Sequence, residues 1–383
     1  MEKFDLIILG GGIAGLSSAL TAVRSGMHVA LVEKEAYLGG IARDCFHAHI
    51  CGLFKNDDTR PFTIANPGLC SEIFNFMLDL YGNHCLVKMG KVETLAFIQR
   101  DLWQFFHQQI RVNNFCLFEK SQWSNMVSGN GKIQKITIAT PKKDIDLTAV
   151  AFIDATGGAT LPNIMAKEDL VAKTDTAAKE ITENTIQLGG YCMQLKGEPN
   201  KNLSLLVPYT AHKIVKQYNL DAYLRFVTIT HNRLSKTHTL KFSVKTQEDM
   251  EKCAFIFQKL NQNIKELAKL TLLTSSGKIH LRSSQQGRQI DTPKNEETAL
   301  KSYWPKETWN IDSGTQYEYC EKDHPFCIPV SALKDTLFEN LFLAGKSIRV
   351  PDTIQASTRV MGVCMATGEQ AVIAASNYLK EKA

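Results

Sequence analysis

Three glycines near the amino terminus have the spacing of a phosphate-binding turn. Gly10, Gly12 and Gly15 satisfy the pattern G-x-G-x-x-G. In that pattern the first glycine permits a tight turn, the second lets the backbone approach a pyrophosphate, and the third lets a helix pack closely on a strand. Free N–H groups at the start of the helix then bind phosphate oxygens. An acid that accepts ribose hydroxyls is expected about twenty residues further on, and Glu33 stands there.

The segments around these residues are those of a β-α-β unit. Residues 4–9 form a short apolar run typical of a buried parallel strand, and residues 16–25 are good helix formers. Gly26 ends the predicted helix, and residues 28–32 form a second strand that leads into Glu33. We expect neither a signal peptide nor a membrane helix here, because the glycines would break such a helix and the first residues carry no basic excess. The sequence therefore predicts a dinucleotide-binding site.

The length and composition are those of a globular protein with two domains. The chain has 383 residues, of which 44% are hydrophobic and 22% charged, and its formal net charge is +5. It contains no run of five or more Lys or Arg residues, so binding to nucleic acid or attraction to a membrane surface is not indicated. The ten cysteines are scattered and form no C-x-x-C pair. They are expected to be reduced thiols of a cytoplasmic protein.

A second glycine pair follows the strand that ends in the acid. The residues concerned are Lys34, Gly39, Gly40, Ile41 and Ala42. Glycine lets the backbone lie against a bound molecule without a side chain between them. Together with the first turn, this order of elements resembles the FAD-dependent oxidoreductases of the glutathione-reductase-like superfamily. Within it, the pattern is similar to the branch of fumarate reductase flavoproteins, thiazole synthases and the flavin subunits of heterodisulfide reductases.

Two later segments are similar to the other FAD-contacting elements of that superfamily. A predicted strand over residues 145–153 leads into an A-T-G-G turn, and another strand ends at Gly345 before a helix that begins near residues 361–365. The start of that helix would face the flavin and stabilise its reduced form. Lys346 stands where many members have aspartate and members of this branch often have arginine. The resemblance assigns to FAD, besides the residues above, Ile13, Ala14, Met126, Val127, Ala155, Thr156, Gly157, Gly345, Lys346, Gly362, Val363 and Met365.

Residues 45–51 alternate cysteine and histidine with apolar residues. If they form a strand, Cys45, His47, His49 and Cys51 share one face. Neighbours on such a face lie ~7 Å apart, so the four side chains cannot close one tetrahedral metal site, and no metal is expected. Either this is a packed face without chemistry, or His47, His49 or Cys51 faces the flavin or the substrate. The histidines would then be proton donors, and Cys51 a thiol partner.

The same segment bears on how FAD is attached, and a later one on how the substrate is held. The fumarate reductase relatives have a histidine here that can bond covalently to the flavin, but their surrounding motif is missing, so non-covalent FAD is expected. Arg282 and Arg288 lie in a segment that resembles an arginine-containing segment of the family close to flavin or substrate. Two guanidinium groups can hold a carboxylate there, or both arginines are surface residues.

These features predict an α/β protein. A Rossmann-like FAD-binding domain, with a parallel sheet, helices and a small antiparallel β-meander, is expected over residues 1–160 and 320–383. An α+β substrate domain is expected over residues 161–319. Apolar periodicity also predicts helices over residues 71–81, 93–109, 247–260 and 262–267, and strands over residues 111–118, 133–140, 186–196, 225–231 and 239–244.

The expected activity is that of an FAD-dependent oxidoreductase acting on a small molecule at the domain interface. The flavin would exchange hydride or electrons with that substrate, and a redox partner protein or NAD(P)H is the other candidate reactant. Two alternatives stay open on the same fold. One is an RNA-modifying flavoprotein, and the other is a non-catalytic binding protein of the kind represented by guanine-nucleotide dissociation inhibitors.

Overall fold

Two packed units make up the computed structural model, which describes residues 2–56, 61–158, 160–161, 187–282, 298–321 and 324–382. The first unit is built around a seven-stranded sheet and the second around a four-stranded sheet. Separate hydrophobic cores fill the two units. The mixed α/β class predicted from the sequence is confirmed.

The seven-stranded sheet contains the predicted β-α-β unit. Its strands are β1 (Glu2–Leu9), β2 (Val29–Val32), β6 (Phe115–Phe118), β7 (Gln122–Gly129), β8 (Lys132–Ala139), β9 (Asp144–Asp154) and β18 (Leu341–Leu343). Their order is β6-β2-β1-β9-β8-β7, and β18 also pairs with β9. β6, β2, β1, β9 and β18 are parallel to one another, whereas β8 pairs antiparallel with β9 on one side and with β7 on the other. The loops that follow β1, β2, β9 and β18 therefore meet at one carboxyl edge of the sheet.

Two helices lie side by side at that edge. Helix α1 (Ile13–Arg24) packs along α8 (Met361–Lys382), the last helix of the chain. Gly368 makes the contact close, because a Cβ atom there would lie 2.2 Å from the Ala14 carbonyl oxygen. Ser18 donates a hydrogen bond of 2.9 Å to the Gly368 carbonyl. The other helices of this unit are α2 (Gly40–Asp44), α3 (Leu69–Tyr81), α4 (Gln99–Ile110) and α7 (Asp352–Thr358).

A small antiparallel sheet corrects one predicted helix. It consists of β3 (His49–Ile50), β5 (Val92–Ala96) and β4 (Leu86–Met89), in that order. The helix predicted over residues 93–109 therefore begins too early. Residues 92–96 are fully buried and pair with β4 in a hairpin, so pairing outweighs the helical spacing, and the helix starts at Gln99.

The second unit, called the cap below, has a four-stranded antiparallel sheet with two helices. The sheet has the order β11 (Val227–Asn232), β12 (Thr237–Val244), β10 (Gly189–Lys196), β13 (Thr271–Ser275), and the helices are α5 (Leu203–Gln217) and α6 (Asp249–Asn263). Two two-stranded antiparallel sheets follow: β14 (Thr298–Ser302) pairs with β17 (Phe326–Pro329), and between them in the chain β15 (Lys306–Asn310) and β16 (Gly314–Glu318) form a hairpin. The helix predicted over residues 262–267 is wrong beyond its first two residues, because Ile264 is extended (φ −118°, ψ 96°) and ends α6.

The cap is fixed to the first unit by hydrogen bonds from its β11–β12 hairpin. The Asn232 side chain donates to the Phe97 carbonyl at 2.8 Å, and Thr239 donates to the Phe46 carbonyl at 2.9 Å. An ion pair of 2.5 Å joins Lys278 to Glu35. These contacts hold the cap next to the loop that follows β2. No helix within the described residues combines the length and the apolar character needed to cross a bilayer.

Candidate active site

The predicted glycine turn lies between β1 and α1, and two of its glycines are required by close packing. Gly10 has φ +96°, and a Cβ atom there would lie 2.7 Å from the Ala155 carbonyl oxygen. A Cβ atom on Gly15 would lie 1.9 Å from the Gly10 carbonyl oxygen. Gly12 is different, because its φ is −69° and no atom lies within 4 Å of its Cβ position. The turn therefore has one open side, at Gly12.

The open side coincides with the start of α1, where Ile13 and Ala14 form the first turn. No side chain caps this helix, so its first N–H groups face the space in front of Gly12. A bare N-terminus of a 12-residue helix beside an uncrowded glycine fits a pyrophosphate. The residues present therefore fit the dinucleotide that the sequence predicted.

Glu33 lies next to this turn as predicted. Its Oε2 accepts the Gly11 N–H at 2.6 Å and its Oε1 accepts the Glu35 N–H at 2.8 Å. The side chain is buried, so backbone groups hold the carboxylate in one orientation. Each oxygen keeps a further lone pair that can accept a ribose hydroxyl.

The second glycine pair packs directly on the first turn. Gly39 has φ +118° and donates its N–H to the Gly11 carbonyl at 2.9 Å. A Cβ atom on Gly40 would lie 3.1 Å from the Gly12 Cα. Of the other residues predicted here, Ala42 is buried, whereas Ile41 and Lys34 are exposed. We call Gly10, Gly12, Gly15, Gly39 and Gly40 the glycine cradle.

The A-T-G-G turn and the loop after β18 are joined through Asp154. This fully buried carboxylate accepts the Thr156 N–H at 2.9 Å and the Ser347 hydroxyl at 3.1 Å. Burial raises the pKa of Asp154, and these hydrogen bonds oppose that shift. The Gly157 N–H donates to the Ser347 hydroxyl at 3.1 Å. Ala155, Thr156 and Gly157 are thus brought to the loop that carries Gly345 and Lys346.

Lys346 lies beside Gly157 in this loop. A Cβ atom on Gly157 would lie 3.1 Å from the Lys346 Cε, and the Lys346 ammonium donates to the Leu281 carbonyl of the cap at 3.0 Å. Burial, and then the charge of Arg359, lowers the pKa of Lys346 to about 8. Gly345 donates its N–H to Thr367 at 2.9 Å, which ties this loop to α8.

The start of α8 is less open than the sequence predicted. The Gly362 N–H donates to the Cys51 carbonyl at 2.9 Å, so it is already occupied. Val363 and Met365 are completely buried in the core of the first unit. These three residues position the helix, and their predicted contact with the flavin stays a prediction.

Met126 and Val127 lie on β7. The strand reaches the edge of the site at its start, where the N–H of Ser121, the residue before β7, donates to the Glu33 carbonyl at 2.9 Å and the Trp123 indole donates to Thr160 at 3.1 Å. Further along, Met126 packs against the core under the sheet and Val127 is exposed. The residues at the start of β7 therefore lie nearer the site than Met126 and Val127 do, and the sequence analysis did not identify them.

Residues 45–51 do not form the continuous strand on which a shared face would depend. Helix α2 runs to Asp44, Phe46 has φ +53°, and only His49–Ile50 forms a strand. A left-handed residue reverses the alternation of side chains, so Cys45, His47, His49 and Cys51 do not share one face. Within the described residues no group of three or more potential metal ligands is present.

Lys241 is a charged neighbour of Cys45, His47 and Cys51, whereas His49 has other neighbours. Burial lowers the pKa of His47 to about 4, assisted by Lys241 and His280. Burial also lowers the pKa of His49 to about 4, but there the assisting charges are Arg233 and His231. Both imidazoles are therefore neutral at pH 7 and accept rather than donate protons.

The two cysteines of the segment are protonated thiols. A hydrogen bond to Cys192, followed by burial, raises the pKa of Cys45. Burial, followed by the charge of Glu307, raises the pKa of Cys51 to about 12. Cys45 therefore faces the cap sheet, and Cys51 is close to the charges of β15.

Arg282 is at the centre of a buried group of charged side chains in the cap. Its Nη1 donates to the Leu188 carbonyl and, at 2.6 Å, to the Gly189 carbonyl. The guanidinium carbon lies 4.0 Å from the centre of the Trp309 ring, and the Lys241 ammonium lies 4.9 Å from the same centre. Arg288, predicted to be its partner, lies outside the described residues.

Glu307 and Arg359 complete this group. Glu307 accepts the Trp309 indole N–H at 2.8 Å. Burial alone would raise the pKa of Glu307, but Lys241, Arg359 and Arg282 lower it overall. Arg359 donates to the Glu307 carbonyl at 2.6 Å and to the Arg282 carbonyl at 3.0 Å. We call Lys241, Arg282, Glu307, Trp309 and Arg359 the cationic pocket.

His280 lies between the cationic pocket and the loop after β2. It exchanges both backbone hydrogen bonds with Gly190, at 2.8 and 2.9 Å, and its Nε2 lies 3.6 Å from the Asp44 carboxylate. Burial lowers the pKa of His280, and Asp44 opposes the shift. Lys241, Glu307, Arg359 and His280 were not predicted as site residues. No sequence motif marks them, because they meet only after the cap has folded.

Comparison with known proteins gives one family match. A family model described as "FAD dependent oxidoreductase" matches residues 5–383. No curated protein sequence matches the chain. The resemblance noted from the glycine motifs is thereby confirmed at the level of this family.

Solved structures show the same fold at low sequence identity. A geranylgeranyl bacteriochlorophyll reductase-like protein from Thermoplasma acidophilum is 12% identical with a TM-score of 0.51, covering 100% of this chain and 80% of its own. The p-nitrophenol 4-monooxygenase PnpA from Pseudomonas putida DLL-E4 is 10% identical with a TM-score of 0.46, covering 100% of this chain and 82% of its own. The first likeness shows the fold and does not extend to a substrate.

Proposed function

The chain belongs to the family of FAD dependent oxidoreductases, and from that premise we propose that it binds FAD non-covalently and oxidises or reduces a small molecule between the first unit and the cap. One observation carries this proposal. The turn with Gly12, the turn with Gly157 and the loop with Gly345 come from distant parts of the sequence and meet at one edge of the parallel sheet. Ligands of open α/β sheets bind at that edge.

The residues that would hold FAD follow from this arrangement. The start of α1 at Gly12 would hold the pyrophosphate, and Glu33 would hold a ribose hydroxyl. Lys346, half-buried beside Gly157, would lie next to the flavin. FAD would supply two-electron transfer to or from the substrate, with NAD(P)H or a redox partner protein as the second reactant.

The chain's own residues would bind the substrate and move a proton. The cationic pocket lies across the interface from His47, as the effect of Lys241 on the His47 pKa indicates. At a pKa of about 4 the His47 imidazole is a weak base, but it is neutral at pH 7 and has a free lone pair, so we assign His47 the transient acceptance and return of a substrate proton. The charged neighbours of His49 are Arg233 and His231 of the β11–β12 hairpin, and we assign His49 a structural role. Within the described residues no cysteine forms a disulfide, and a cytoplasmic location remains part of this proposal.

Gly12→Ala tests the proposal, because the protein itself leaves room for the added methyl group. The apoprotein should unfold at the same temperature as wild type, whereas FAD should bind about 100-fold more weakly, or ~2.7 kcal/mol. FAD affinity is measured by flavin fluorescence, and non-covalent attachment by release of flavin into the supernatant after acid precipitation.

Gly129→Ala on β7 is the matched control, since its methyl group would meet only the flexible Gln134 side chain. It should leave FAD affinity unchanged. Wild-type protein that neither carries nor takes up FAD would refute the proposed function, and normal FAD affinity in Gly12→Ala would refute the assigned position of the pyrophosphate.

A further inference from the structure

We infer that the cationic pocket binds an anion, and that the substrate of the proposed reaction carries a carboxylate or phosphate group held by Arg282 and Lys241. The assignment of this anion to the substrate rests on the proposed function. The anion site itself rests on the geometry of the cap.

Arg282 has a buried guanidinium nitrogen without a partner. Its Nη2 forms no hydrogen bond within the described part of the chain, and the residue is 9% exposed. Nη1 is held by two carbonyls and the guanidinium plane by Trp309, so the direction of Nη2 is fixed. A buried charged donor left unpaired is costly, and a donor fixed this way suits an oxyanion ligand.

Lys241 and Gly190 define where that ligand lies. A Cβ atom on Gly190 would be 3.5 Å from the Arg282 Nη2 and 3.5 Å from the Lys241 Cε. The absence of a side chain at Gly190 therefore leaves a space that both cations border. Lys241 lies opposite Cys192 on the paired strand, and its ammonium is also above the Trp309 ring. Within the described residues no carboxylate is paired with that ammonium.

The charge of the pocket is unbalanced. Three cations (Lys241, Arg282 and Arg359) face one carboxylate, that of Glu307, which already accepts the Trp309 indole. Burial and the charge of Arg359 lower the pKa of Arg282 to about 10, so it stays protonated at pH 7. Burial likewise lowers the pKa of Lys241. An anionic ligand would relieve this repulsion, because buried cations are stable only when paired.

The phosphates of FAD have a separate place. They are assigned to the start of α1 and Gly12, on the first unit, whereas Arg282 and Lys241 belong to the cap. Arg359, which precedes α8, connects the two regions by donating to the Arg282 carbonyl. The anion of the pocket is therefore a group of a second molecule bound beside the flavin.

Titration of the FAD-loaded protein with simple anions tests this inference. The probes are benzoate, acetate and inorganic phosphate, with benzamide and acetamide as neutral isosteres. Binding is followed by the change in the flavin absorption spectrum and by calorimetry. We expect at least one anion to bind, neutral amides to bind at least about tenfold more weakly, and Arg282→Met to weaken anion binding at least about tenfold. The preferred probe distinguishes a carboxylate from a phosphate ligand.

Arg225→Met is the matched control, since Arg225 lies in the cap, outside the pocket, and donates to the Ala222 carbonyl. It should leave anion binding unchanged. Gly190→Ala is a second, milder variant, because the methyl group occupies the inferred anion space at ordinary contact distances, and it should also weaken anion binding while FAD affinity is unchanged.

Three results would overturn the inference while leaving the proposed function intact. They are binding of no probe anion by the FAD-loaded wild-type protein, equal binding of amides and acids, and anion binding that persists in both pocket variants. Failure of the wild-type protein to bind FAD would instead overturn the proposed function.

Discussion

The glycine cradle and the cationic pocket are built by opposite means. The cradle is made of backbone, and its glycines are required because a Cβ atom at Gly15 or Gly10 would collide with a carbonyl. The pocket is made of side chains, which come from β12, β15, the loop after β13 and the residue that follows α7. A short local sequence motif is enough to specify a site made of backbone. A side-chain site of this kind depends on the topology that brings its members together.

The two sites should also respond differently to substitution. In the cradle an added methyl group takes up space that the backbone or the cofactor needs. In the pocket the loss of a charge changes the electrostatic interactions of the neighbouring side chains and of a bound anion. Mutations of the cradle are therefore expected to weaken or abolish binding of FAD. Mutations of the pocket are expected to change the affinity for anions and the pKa values of neighbouring groups while FAD stays bound.

The largest effect is expected for Gly15→Ala. The new Cβ atom would lie 1.9 Å from the Gly10 carbonyl oxygen, so the turn or the helix must move. We expect a loss of about 3 kcal/mol or more in the free energy of unfolding, together with loss of FAD. Urea denaturation of the apoprotein measures the first quantity and flavin fluorescence the second.

Gly12→Ala is the natural comparison, since its methyl group meets no protein atom and should affect FAD alone. If Gly15→Ala proved as stable as Gly12→Ala, the close packing of α1 on the turn would be wrong. The contrast between the two variants separates the folding role of the cradle from its binding role.

The cradle and the central sheet could be predicted because local rules determine them. The apolar run of β1, the glycine spacing and Glu33 follow one another within a single β-α-β unit, and the structure has them where the sequence placed them. The sequence also predicted the A-T-G-G turn and the loop at Gly345, although they are far apart in the chain. Each directly follows a buried strand, and the two strands are neighbours in the same sheet.

The segment of residues 45–51 shows why the rest could not be predicted. Its alternating pattern indicated a strand, but Phe46 adopts φ +53°, and a single left-handed residue redirects all side chains that follow. The cationic pocket carries no pattern at all. Lys241 is one lysine in a strand, and its proximity to Trp309 follows from pairing of β10 with β12 and from the position of β15.

An intermediate effect, on the pH dependence of stability, is expected for substitution of His47 and His49. Each has a folded-state pKa of about 4 and an ordinary value near 6.5 when unfolded. The unfolded chain therefore binds more protons between these values, so their contribution to stability is complete above pH 6.5 and is lost as the pH falls toward 4. We expect the free energy of unfolding to fall by about 1–3 kcal/mol less between pH 7 and pH 4 in His47→Gln, and likewise in His49→Gln, than in the wild-type protein.

The measurement is the free energy of unfolding from urea titrations at several pH values between 4 and 8. His212→Gln, an exposed histidine of α5, is the control and should leave the pH profile unchanged. Lys241→Met adds a test of the pocket, because it should raise the pKa of His47 but not that of His49, whose neighbours are Arg233 and His231. Equal shifts of both histidines in NMR titrations would place them in one environment and contradict the structure.

The smallest effect is expected for Val127→Ala, which probes where the cradle ends. Val127 is exposed on β7, whereas Ser121, the residue before that strand, donates its N–H to the Glu33 carbonyl. FAD affinity should therefore change less than about twofold, while Glu33→Gln, as the comparison, should weaken it about tenfold by removing the charged acceptor. A marked loss of FAD in Val127→Ala would extend the cofactor site along β7. It would also show that exposed side chains, and not backbone alone, take part in holding the dinucleotide.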